Sequence, residues 1–211
     1  MSKISNFIKS NKDAIIKPVV VLLAICIVIP LALSVTNKFT AHRIEKLQEE
    51  NEKSAMEGLI NADEFKPCSL NIVDVAEPFN YYIAIKNEEE IGYIFTTSSK
   101  GYGGEVSVMT VVDNDGKVTA VSILDASNET PGLGQNVTKE GFYSQYSGKK
   151  SGIKIVKNGA TDENNEINAV TGATISSTAV TNAVNQALEN YKAVIADNKN
   201  SPETEVAADE Q

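Results

Sequence analysis

Ala169-Val170-Thr171-Gly172-Ala173-Thr174-Ile175-Ser176-Ser177 stands directly before the most regular apolar pattern in this chain of 211 residues. From there Val180, Val184, Leu188, Tyr191 and Ile195 recur at spacings of three or four, with Ala179, Ala183 and Ala187 beside them. That period predicts an amphipathic helix with one face on a core. Ser176 and Ser177 are good N-cap residues, so the hydroxyl of Thr174 falls at or just before the helix N-terminus. Unpaired backbone N–H groups and the positive end of the helix dipole favour an anion there, phosphate included. From spacing alone an ordinary N-cap on a packed helix explains the same residues.

Upstream, the period changes from helical to alternating. Tyr81-Tyr82-Ile83-Ala84-Ile85 and Gly92-Tyr93-Ile94-Phe95-Thr96-Thr97 read as strands on either side of the acidic turn Asn87-Glu88-Glu89-Glu90. Residues 106–112 and 118–124 flank Asp113-Asn114-Asp115-Gly116-Lys117. This is a D-G hairpin signal and not a calcium loop, because the twelfth position is Leu124 instead of Glu. Between the hairpins, Gly101-Tyr102-Gly103-Gly104 permits either a tight turn or close approach of a ligand. Asn128-Glu129-Thr130-Pro131-Gly132-Leu133-Gly134 reads as a shaped loop. A short helix over 139–146, a strand over 153–157 and a polar loop over 158–168 complete the expectation.

Towards the N-terminus, residues 18–36 carry no charge, which is long enough to span a bilayer, and Pro30 is tolerable there. A cleaved signal peptide ending near Ala32-Leu33-Ser34 is the competing reading; the long basic lead and the length of the apolar run favour a retained anchor. Lys3, Lys9, Lys12 and Lys17 precede the run, against Lys38, Arg43 and Lys46 after it. The bias places the N-terminus in the cytoplasm and the large domain outside. Residues 38–62 read as a helical stalk. The expected organisation is a basic segment (1–17), a transmembrane helix (18–36), a stalk (37–62), a folded domain (63–197) and a disordered acidic tail (198–211). The fold class is α+β: an antiparallel sheet with a packing C-terminal helix, preceded by the transmembrane helix and the stalk.

Charge and composition exclude several functions. Beyond residue 37 there are 15 basic and 27 acidic residues, a balance of −12. That argues against nucleic acid as a partner. One histidine and two cysteines provide neither metal-ligand spacing nor a disulfide framework. No G-x-G-x-x-G follows a strand, so a Rossmann-type dinucleotide site is not expected. No general base or nucleophile stands out either.

Thr171-Gly172-Ala173-Thr174 resembles the S/T-G-A-T flavinylation motif of the FMN-binding domain family. The order of Gly101-Tyr102-Gly103-Gly104, the D-G hairpin, Glu129-Thr130-Pro131-Gly132-Leu133-Gly134 and that motif, behind a membrane span, is similar to the G subunit of Rnf electron-transport complexes. It is also similar to the related C subunit of the sodium-pumping NADH:quinone reductase. The resemblance implies FMN joined to Thr174 by a phosphodiester, with Thr171, Gly172 and Ala173 around it. Tyr102, Glu129, Thr130, Gly132 and Leu133 would then lie near the flavin, although each is equally explained as a turn residue. It further implies maturation by a flavin transferase and assembly with other membrane subunits. The role would be electron carrier in a ferredoxin:NAD oxidoreductase that translocates ions. Asn168 stands where many family members have Asp, and Thr171 where Ser is common. Two other classes fit the same residues: a membrane-anchored flavoprotein donor to another reductase, and a cofactor-free interaction or sensor domain.

Overall fold

The computed structural model describes residues 12–70 and 78–200. The basic segment up to residue 11 and the acidic tail from residue 201 lie outside the described residues. The chain divides into two compact units, 1–50 and 51–211, and each is taken by itself.

The first unit is the greater part of helix α1 (Lys12–Leu59), which includes both Pro18 and Pro30. Within it, Ile16–Lys38 has a mean hydropathy of 2.9 and is unburied along its length. It is the one described helix long and apolar enough to cross a membrane. Thr36 and Thr40 return their hydroxyls to the carbonyls of Ala32 and Thr36, so their polar groups are satisfied within the helix.

The second unit is built on a five-stranded antiparallel meander, β1 (Glu64–Leu70), β2 (Phe79–Lys86), β3 (Glu89–Lys100), β4 (Glu105–Val112) and β5 (Val118–Asp125), in sequence order. Alternation sends Tyr81, Ile83, Tyr93, Phe95, Val106, Val108 and Val112 to one face. Ala84, Ile94, Met109 and Val111 go to the other. The turn at Asn87 and Glu88 has positive φ at both residues (51° and 67°), the geometry that matches strand twist in a two-residue hairpin. Glu89 and Glu90 of the acidic run therefore belong to β3.

Both faces are covered. The end of α1 places Met56 against the second face, with Ala55, Leu59 and Ile60 packed around it. The long C-terminal helix α3 (Thr174–Asn200) covers the first, burying Ala179, Val180, Ala183, Val184, Ala187 and Leu188. Full burial of each Val or Leu contributes about 1.5–3 kcal/mol. The alanines let the helix backbone approach the sheet, so that the Thr97 hydroxyl donates to the carbonyl of Ala183 at 2.8 Å. Near its other end, the Tyr191 ring packs edge-on against Tyr93, and its hydroxyl donates to the carbonyl of Asn114.

Between β5 and α3 the chain makes short helical turns, including α2 (Glu140–Tyr143), and two short strands, β6 (Lys154–Val156) and β7 (Glu166–Asn168). β6 falls within the expected strand. β7 corrects the polar loop expected over 158–168: it pairs in parallel with β6 and buries Ile167 completely. Three residues are too few to establish an alternation, and their pairing partner lies a loop away, so local pattern could not reveal the strand.

Candidate functional site

The segment from Val170 to Ser177 is shaped by two serines that were expected to cap α3 and do not. The helix starts at Thr174, and the carbonyl of Ala173 accepts the first helical bond, from the Ser177 amide, at 2.9 Å. Ser176 and Ser177 are inside the first turns and buried. The Ser177 hydroxyl accepts from the Val170 amide (3.0 Å) and donates to the Ala173 carbonyl (2.9 Å), closing the loop onto its own helix. With those positions turned inward, the helical step sends Thr174 and Ile175 outward, and both are exposed. The amides of Thr174, Ile175 and Ser176 precede the first helical bond, so helix geometry gives them no partner within α3.

Gly172 has φ 79°, and a Cβ there would come within 2.9 Å of Leu133 Cδ1. Glycine is thus required for the backbone conformation, while the contact itself is with the end of an exposed leucine side chain that can move aside. At Gly134 the demand is for space: a Cβ would lie 2.6 Å from Glu129 Oε2 and 2.9 Å from the Ser176 hydroxyl.

Glu129 joins these pieces. Its side chain is 1% exposed. Ser176 donates its hydroxyl to Oε2 at 2.6 Å, and the Gly103 amide donates to Oε1 at 3.0 Å. Burial pushes the carboxyl pKa up, but the Ser176 hydroxyl and the backbone amides of Gly103, Tyr102 and Gly104 outweigh it and hold the group below its ordinary range. The carboxylate occupies the space a side chain would need: a Cβ on Gly101 would collide with Glu129 Oε1. The turn between β3 and β4, the loop after β5 and the first turn of α3 therefore meet on one buried charge.

Above that junction opens a cleft of about 540 Å³, lined by Tyr102, Glu129, Thr130, Leu133, Gly134, Gly172, Ala173, Thr174, Ile175 and Ser176. Its volume is in the range of small-molecule sites. Tyr102, Leu133 and Ile175 are 72%, 41% and 55% exposed. They are the exposed large apolar side chains described in the second unit, and all three rim the same cleft. No lysine or arginine is among the lining residues.

Of the residues singled out from sequence, Tyr102, Glu129, Thr130, Leu133, Gly172, Ala173 and Thr174 come together here. Thr171 and Gly132 do not line the cleft. Gly132 is a turn residue with φ 74° whose carbonyl accepts from Asn136 Nδ2. Gly134, the end of the loop whose backbone was expected near the flavin, also lines the cleft; Ile175 and Ser176 join it without having been anticipated. The signal for Ile175 was an apolar residue off the buried stripe of α3. Asn168 lies on the wall of a second hollow beside the motif, with its side chain engaged: Oδ1 accepts from the Ala160 amide at 3.0 Å.

The cleft fits FMN by the chemistry of its walls. A broad apolar rim suits a fused ring, the unpaired amides at the start of α3 suit a phosphate, and glycines at Gly134 and Gly172 keep side chains from filling the space between.

Known proteins agree with this class. The FMN-binding domain family matches residues 101–189, a span that contains the whole cleft. The G subunit of the proton-translocating ferredoxin:NAD(+) oxidoreductase complex of Clostridium ljungdahlii is 41% identical over 126 residues, 56% of this chain and 66% of that protein. The G subunit of the Na(+)-translocating ferredoxin:NAD(+) oxidoreductase complex of Acetobacterium woodii is 35% identical over 186 residues, 82% of this chain and 89% of that protein. The chain belongs to this G-subunit family of ion-translocating oxidoreductase complexes. Its fold is that of the C subunit of the Na(+)-translocating NADH-quinone reductase of Parabacteroides distasonis, with a TM-score of 0.55 at 20% identity, covering 71% of this chain and 94% of that one.

Proposed function

We propose that this protein is the electron-carrying flavoprotein subunit of an Rnf-type ferredoxin:NAD oxidoreductase complex that translocates ions, with FMN joined to Thr174 by a phosphodiester. The observation that carries the covalent reading is the lip of the cleft. An exposed Thr174 hydroxyl, without a hydrogen-bond partner among the described residues, stands at the start of α3 in a cleft with no cationic side chain. Such a site offers a phosphate three amides and a helix dipole but no ion pair, and a tether removes dependence on free flavin concentration. FMN supplies the electron-accepting ring. Tyr102, Leu133 and Ile175 would shield one side of it from water, and the amides of Thr174, Ile175 and Ser176 would face the phosphodiester.

Maturation requires a flavin transferase, and the working partners are the other membrane subunits of the complex. Ile16–Lys38 anchors the chain, with the N-terminus cytoplasmic and the flavin domain on the extracytoplasmic side, from the excess of lysines before the span. Protease added to right-side-out vesicles should digest the domain; a protected domain with a cleaved N-terminus would reverse the orientation. The site is tested by co-expression with a flavin transferase and peptide mass spectrometry. Flavin phosphate on the Thr174 peptide is expected, and a modified peptide that persists in Thr174→Ala would sink the assignment.

A further inference from the structure

We infer that Glu129 is a positioning residue for the flavin site, with two actions: it holds the 101–104 turn against the first turn of α3, and its carboxylate sets a negative field in the cleft. The inference rests on the proposed flavin occupancy of that cleft. Glu129 is the one charged residue in the lining and is buried beneath it. It is fixed from two sides, by the Ser176 hydroxyl at 2.6 Å and the Gly103 amide at 3.0 Å. The glycines at 101 and 134 leave room for the carboxylate and little else, since a Cβ at either position would meet its oxygens. Tyr102, the most exposed apolar wall of the cleft, sits between Gly101, whose missing side chain leaves room for the carboxylate, and Gly103, whose amide donates to it.

The electrostatic consequence follows from sign. In a low-dielectric site a fixed negative charge opposes the arrival of an electron, so it lowers the reduction potential of a group bound above it. The same charge counters the helix N-terminus, which weakens reversible phosphate binding there and makes a covalent bond the means of retention. Glu129→Gln keeps the shape and removes the charge. Ser176→Ala keeps the charge and removes a hydroxyl that partly compensates it. The two variants therefore move the potential in opposite directions, a pattern that loosening of the site would not produce.

The experiment uses the full chain co-expressed with a flavin transferase, as wild type, Glu129→Gln and Ser176→Ala, and titrates the flavin potential in each. A rise in Glu129→Gln with a fall in Ser176→Ala is expected; no shift, or shifts of the same sign, overturns the field. If Glu129→Gln yields no folded protein, Ser176→Ala decides alone, a fall supporting the inference and anything else refuting it. The positioning action is read without flavin, by hydrogen exchange in a Thr174→Ala background. Adding Glu129→Gln should speed exchange of the 101–104 amides several-fold, and unchanged exchange overturns the latch. Flavin missing from the wild-type chain would overturn the functional reading and this inference together. Flavin present with unmoved potentials would overturn the inference alone.

Discussion

Two turns at opposite ends of β4 solve the same problem in different ways. At 113–117 the spare amides are satisfied locally: Asp113 Oδ1 accepts from the Asp115 and Lys117 amides at 2.9 and 2.8 Å. At 101–104 the turn closes its own bond, from the Gly101 amide to the Gly104 carbonyl, but its other amides turn to a carboxylate from Glu129, beyond β5. A self-capped turn has its amides satisfied once its own residues are in place. A turn capped from a distance exists only when the loops that bring its partner are folded, and those loops form the cleft. The first turn is architecture, and the second is part of the site.

The largest effect that would sharpen this contrast is functional. Thr174→Ala should remove covalent flavin entirely while leaving the thermal midpoint of the full chain in detergent nearly unchanged, because an exposed hydroxyl contributes little to packing. Thr171→Ala, outside the cleft, should at most lower the flavin yield, as measured by absorbance per chain.

Substitution at the glycines comes next. A Cβ on Gly103 would run into the backbone carbonyl of Asn128, which cannot rotate away. Gly103→Ala should cost about 3 kcal/mol or more in denaturant unfolding. Gly116→Ala faces a φ of 73° and a Tyr191 ring carbon at 3.1 Å, so about 1–2 kcal/mol is expected. Equal costs would break the distinction between the turns.

Removing the two carboxylates should separate them again. Glu129→Ala leaves the buried Ser176 hydroxyl and the part-buried Gly103 amide without their acceptor and should cost about 2–3 kcal/mol. Asp113→Ala exposes its amides to water at a surface turn and should cost about 1 kcal/mol.

The smallest effect is one of pH. Glu129 is held below the ordinary carboxylate range in the folded chain, so its stabilisation is complete above that range and is lost as pH falls through the folded value. The groups facing it are the amides of Tyr102, Gly103 and Gly104 from the turn and the Ser176 hydroxyl from α3, none of which titrates in acid. The gap in thermal midpoint between wild type and Glu129→Gln should therefore narrow as pH is lowered from 7 to 3. A constant gap would mean that the ionised form is not what the turn requires.

Much of this protein was legible in its sequence because its elements are periodic and local. The alternating runs over 81–97 and 106–124 specified strands. The D-G signal placed a hairpin at 113–117, and the three-and-four spacing after Thr174 specified the helix that covers the sheet. The uncharged run over 18–36 is apolar whatever surrounds it. The motif at 171–174 lies at the N-terminal end of α3, where the cleft opens. What sequence could not decide depended on partners far along the chain. Ser176 and Ser177 looked like caps because serines at a helix start usually are. They became interior residues because a buried carboxylate 47 residues away and the returning amide of Val170 accept and supply their hydrogen bonds. β7 is a strand only because β6 lies beside it. Resemblance put Glu129 near the flavin and its own pattern read as a turn, but neither showed that its charge is buried. Local pattern carries propensity and period, whereas the burial of a charge and the identity of the groups that satisfy it are fixed only when distant segments meet.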